Sequence, residues 1–230
     1  MVSTNKIAVV TAVTNNYDYT VGHYGYHPQA DYLFYTDGTA EPSDDRWQTR
    51  LIPPITDNLW KLAKLPKIFP HSIPELTQYD YLIWIDGSMQ IKTEMFVPEI
   101  LSYLNRGLLL SPHFDGRDCG YGEAMIRPPK YADEPFDAQC EFYRQEGFPE
   151  HYGLWEAGVQ ARKMGTPGLA EFEKVWMQQI LDWSVQDQVS LGYSLWKTGF
   201  VPDVLPRSWR EYRWIHLNAH LPKEEKETGE

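Results

Sequence analysis

A chain of 230 residues, 42% hydrophobic and 14% aromatic, can bury one core without staples, so a single globular domain is expected. Its formal net charge of −11 argues against nucleic acid or an anionic membrane as the main partner, yet leaves room for a nucleotide in one locally basic cleft. The two cysteines, Cys119 and Cys140, lack metal-type spacing, which speaks for a reduced compartment and against structural zinc.

In chain order, residues 6–14 read as a first buried strand, closed by the polar turn formers Asn15, Asn16, Tyr17 and Asp18. Its apolar run lacks a signal-peptide layout, and no stretch approaches a membrane-spanning length, so a soluble, cytoplasmic protein is expected. Residues 31–36 form a second strand, ended by Asp37 and Gly38. Residues 39–56, rich in proline and charge, read as a loop. Asp57 or Asn58 caps a helix over 59–65 that Pro66 halts. Lys61, Lys64 and Lys67 recur every third residue. Such a row can bind a diphosphate, and it is also a common pattern on a solvated face.

The most informative stretch is 79–91, Tyr-Asp-Tyr-Leu-Ile-Trp-Ile-Asp-Gly-Ser-Met-Gln-Ile. Its near-continuous apolar run predicts a strand buried on both faces of a mostly parallel sheet flanked by helices, hence an α/β fold. Asp86 then lies at the carboxyl edge, where open α/β sheets bind ligands, with Gly87 allowing close approach.

Further on, a helix to about residue 105 and a strand over 107–111 are expected. Residues 112–133 are irregular, with His113, Asp115, Arg117 and Asp118 as candidates for acceptor recognition. A helix covers 134–146. Gly153 and Gly158 flank Trp155 and Glu156, which suggests close backbone approach to another group. Pro167 opens an amphipathic helix. Ser184 to Asp187 has the form of a capping box for a second, which Gly199 ends. Residues 200–201 read as an edge strand. Residues 207–223 form a basic, His-containing stretch, and 222–230 a disordered charged tail, so the domain spans 1–221. Phosphate-loop, dinucleotide, nucleophile-elbow and zinc-protease motifs are absent.

Four segments together resemble a GT-A-fold glycosyltransferase, specifically the TOD1/MUCI70 type: 79–91, 153–162 (Gly-Leu-Trp-Glu-Ala-Gly-Val-Gln-Ala-Arg), 186–190 (Gln-Asp-Gln-Val-Ser) and 195–199 (Leu-Trp-Lys-Thr-Gly). The likeness covers roughly residues 6–200 and implies a single GT-A-like domain. It also implies a nucleotide sugar (UDP-, GDP- or dTDP-linked) as co-substrate, a glycan acceptor, and Mn²⁺ or Mg²⁺ at a strand-end Asp-x-Asp motif. Here that motif would be Asp86 and Ser88, with serine the weaker ligand. His216, favoured over His220, stands in a stretch similar to the C-terminal His-x-x-Gly-x-x-Lys of one GT-A branch and would complete the metal site. Thr11, Thr14, Asn15, Lys61, Lys64, Asp86, Gly87, Ser88, Arg162 and Lys223 would hold the donor. Asp187 would be the base, its charged form favoured by a helix N-terminus, with Glu156 second. The same three acids, Asp86, Glu156 and Asp187, would also suit a glycoside hydrolase, and the degraded motif a non-catalytic binding module.

Overall fold

Continuous apolar runs place the central strands of the sheet. The computed structural model describes residues 5–18 and 25–218. The expected tail 222–230, His220 and Lys223 lie outside the described residues. In chain order the elements are β1 (Ile7–Val13), β2 (Ala30–Thr36), β3 (Trp47–Leu51), α1 (Leu59–Leu62), α2 (Leu65–Ile68), β4 (Tyr81–Ile85), β5 (Met89–Ile91) and α3 (Phe96–Ser102). There follow β6 (Leu108–Pro112), α4 (Gly120–Ile126), α5 (Phe136–Gln145), β7 (Trp155–Lys163), α6 (Leu169–Asp182), α7 (Asp187–Thr198), β8 (Asp203–Val204) and β9 (Ile215–Leu217).

Seven strands form one sheet in the order β3-β2-β1-β4-β7-β6-β8. From β3 to β4 every pairing is parallel. β7 runs antiparallel to both neighbours, and β8 returns parallel to β6 at the edge. The expected α/β class with a mostly parallel sheet is therefore what the chain adopts. Side chains alternate between two cores, as strand geometry requires. Val10, Leu33, Leu82 and Trp84 pack under α1, α2, α6 and α7 with Leu65, Phe172, Trp176 and Leu191. Val9, Phe34, Ile83 and Ile85 pack on the opposite face with Phe96, Ile100, Trp209 and Trp214. Much of the aromatic content is thus core. A third cluster, in which Tyr143 stacks on Tyr193 at 4.0 Å, ties α4 and α5 to α7.

Several boundaries differ from expectation for local reasons. The segment 39–56 contains edge strand β3, in which only Trp47 is buried. Pro66 does not end a helix but sits in the first turn of α2, where a missing N–H costs nothing. α4 lies inside the stretch read as irregular, and the edge strand forms at 203–204 rather than 200–201. Pro167 lies just outside α6, whose N-cap is Gly168. The capping box at Ser184 does not form, because α7 is capped by Gln186 without a side-chain bond. A capping box is instead found at Ser208 and Glu211. Among the described residues no helix is long and apolar enough to cross a membrane.

Candidate active site

The carboxyl end of β4 delivers Asp86 to a cleft of about 420 Å³. The Asp86 backbone N–H donates to the Gly158 carbonyl on β7 at 3.0 Å, and the Met89 N–H closes the turn onto the Asp86 carbonyl at 2.9 Å. This fixes the side chain, whose Oδ1 accepts from Trp84 Nε1 at 2.8 Å and from Lys67 Nζ at 2.9 Å. Gly158 is the close approach that the flanking glycines signalled. A Cβ there would lie 2.6 Å from Met89 Cε and 3.1 Å from Asp86 Oδ2. Gly87 and Ser88 complete the floor. Ser88 is buried, and its carbonyl accepts from the backbone and side-chain nitrogens of Asn218 at 2.9 and 3.2 Å.

Opposite Asp86 stands Asp187, the first residue of α7. Its Oδ2 accepts from Lys64 Nζ at 2.9 Å and Lys67 Nζ at 2.7 Å, so Lys67 bridges both acids. Burial pushes the Asp187 carboxyl up, but the charges and hydrogen bonds of Lys64 and Lys67 outweigh it and hold the group far below the usual carboxylate range. Burial likewise pulls the Lys64 ammonium down, and Asp187 and Asp86 raise it above its ordinary value.

Another wall of the cleft carries Glu156, buried on β7, which accepts from Ser208 Oγ and Arg210 Nε, both at 2.5 Å. The Arg210 guanidinium also lies over the Phe114 ring at 4.7 Å. Of the candidates for acceptor recognition, His113 and Arg117 line the cleft. Asp115 joins them, at 2.5 Å from His113 Nδ1 and 2.7 Å from Arg117 Nε. Asp118 instead pairs with exposed His151 at 2.7 Å and does not line the cleft.

Other expected donor ligands stand elsewhere. Lys61 Nζ caps the end of α6, donating to the carbonyls of Leu181 and Trp183 at 2.9 and 2.7 Å. Thr14 Oγ1 donates to the Leu59 carbonyl at 2.8 Å and borders a small pocket beside the main cleft. Thr11 is buried within β1. Asn15 is exposed with a left-handed backbone (φ 53°) and is held by Asp37. Arg162 is buried behind the site, donating to Glu173 Oε1 at 2.9 Å and to the Lys67 carbonyl at 2.7 Å. Its expected contact with a ligand is corrected to a bond to the backbone of a cleft lysine. His216 is exposed on β9, opposite Gln90. The alternation of the strand gives the cleft Leu217 instead. Gln188, Tyr17 and Tyr131 line the cleft and were not assigned to it from sequence, whereas Lys67, which also lines it, belongs to the row read as able to bind a diphosphate. For Lys67 the signal was present in the every-third lysine spacing.

A divalent cation fits this donor set poorly. Both acids are engaged by ammonium groups, and His216 faces away. Among the described residues no three His, Cys, Asp or Glu side chains converge on one point. A 2+ ion seated on Asp86 would have to displace Lys67 or lie beside it.

Residues 53–203 match the profile of the TOD1/MUCI70, glycosyltransferase-like domain. No curated protein matches. Among solved structures, the chain is similar to the apo form of WbbM, a bifunctional glycosyltransferase, at 13% identity and TM-score 0.47. That likeness covers 90% of this chain, which spans 40% of WbbM. It is also similar to apo mouse xyloside xylosyltransferase 1, at 10% identity and TM-score 0.49, over 87% of this chain and 85% of the other.

Proposed function

The chain belongs to the TOD1/MUCI70 glycosyltransferase-like family, and from that premise we propose that its cleft transfers a sugar from a nucleoside-diphosphate sugar to a hydroxyl of a glycan acceptor. One observation carries the reading most: at the carboxyl edge of the sheet, Lys64 and Lys67 are gathered between Asp86 and Asp187. Glycosyl transfer expels a diphosphate, so negative charge grows on the leaving phosphate. Preorganised cations that meet it there lower the barrier. The donor would be UDP-, GDP- or dTDP-linked.

In this reading the base is reassigned. Two ammonium groups make Asp187 a weak proton acceptor, so its task is to position the lysines. Glu156, held by Ser208 and Arg210 at the cleft wall, is the carboxylate that receives the acceptor proton.

The test is release of nucleoside diphosphate from a panel of UDP-, GDP- and dTDP-sugars, with titration calorimetry on the free nucleotides. Lys67→Gln is expected to lower turnover of the accepted donor by roughly 10²–10³-fold, the range seen when one charge-stabilising group is removed. Wild type that neither binds nor turns over any member of the panel would refute the proposal.

A further inference from the structure

We infer that this cleft holds its nucleoside diphosphate without a divalent cation, the Lys67 ammonium between Asp86 and Asp187 supplying the positive charge instead. The inference rests on the transferase reading above and specifies how that site meets the diphosphate.

Geometry comes first. Lys67 Nζ lies 2.9 Å from Asp86 Oδ1 and 2.7 Å from Asp187 Oδ2, so one cation already bridges the two acids of the cleft. An ammonium has three N–H groups. These contacts direct two at carboxylates, which leaves the third for a phosphate oxygen. Lys64 makes one such contact, at 2.9 Å to Asp187, and stands beside it on the cleft wall.

The fold also fixes this lysine in a way a solvated side chain would not require. Lys67 is 3% exposed, and its Nζ lies 5.8 Å from the centre of the Trp84 ring. Its carbonyl accepts from Arg162, itself locked on Glu173 in the interior. A flexible four-carbon stem is thereby held in one pose, the preorganisation that charge stabilisation needs.

The step balances without an ion. The bond from the anomeric carbon to the phosphate oxygen breaks, and its electron pair stays on that oxygen, facing the ammonium groups. The acceptor oxygen forms the new bond to the anomeric carbon, and its proton passes to the Glu156 carboxylate.

The experiment is calorimetric titration of UDP, GDP and dTDP into the whole protein, once with EDTA and once with Mn²⁺. Expected are dissociation constants that agree within about twofold in the two buffers, and at least a tenfold weakening in Lys67→Gln in both. Lys64→Gln, which leaves the bridge intact, is expected to weaken binding by a smaller factor and serves if Lys67→Gln does not fold by circular dichroism. Wild-type binding that requires Mn²⁺ and vanishes in EDTA would overturn the inference while leaving the transferase reading standing. Absence of nucleotide binding in both buffers would sink that reading, and this one with it.

Discussion

At Asp187 burial and charge pull in opposite directions, and the two lysines win. The folded carboxyl titrates below its ordinary value of 3.8, so the linked stability is whole above about pH 5 and drains as pH falls through 3.8 and below. Asp187→Asn is therefore expected to be less stable than wild type at pH 7, with the gap narrowing steadily toward pH 2. Urea titrations at several pH values measure it, and a gap that is constant with pH would contradict the assignment. Arg162 makes the complementary case. It is 1% exposed and Glu173 is fully buried, so Arg162→Met leaves that interior carboxylate with His71, 2.6 Å from its Oε2, as its remaining partner. A loss of about 3–5 kcal/mol in denaturant unfolding is expected.

Among the elements, α7 joins site and scaffold. Its first residue meets the lysines, and its far end is closed by Gly199 in the left-handed region at φ 66°. Gly199→Ala meets no neighbour within 4 Å, so the cost is backbone strain alone. About 1–2 kcal/mol of stability should be lost with nucleotide binding unchanged, since Asp187 lies at the opposite end of the helix. A drop in affinity would show that strain travels along α7. β1, β2 and β4 were legible because both of their faces are buried, which writes an unbroken apolar run. β3 was not, because an edge strand with one buried residue carries no such run. α4 was hidden by glycines and prolines. The place of Asp86 could be read from its strand alone, whereas the surroundings of Asp187 could not. Its role depends on Lys64, 123 positions earlier, and Lys67, which no local pattern reports.

Over the whole molecule, the cleft lies along the seam where the parallel half of the sheet meets antiparallel β7, and both cores include residues from each half. The halves should unfold together, with tryptophan fluorescence and far-ultraviolet circular dichroism giving coincident transitions. A nucleotide at a hundred times its dissociation constant adds about 2.7 kcal/mol, or roughly 5–10 °C in Tm for a chain of this length. Separated transitions, with only one responding to nucleotide, would show that the halves are independent.

β9 pairs with β5 and brings Asn218 onto the Ser88 carbonyl from 130 positions later in the chain. The consequence is one of timing. A ribosome finishes β1, β4 and the lysine row long before it makes the clasp on the turn after Asp86. The nascent protein therefore has a sheet before it has a finished floor to its cleft. A protease cut or stop codon between α7 and β9 would release a chain able to bury much of its core, with that turn left unfastened.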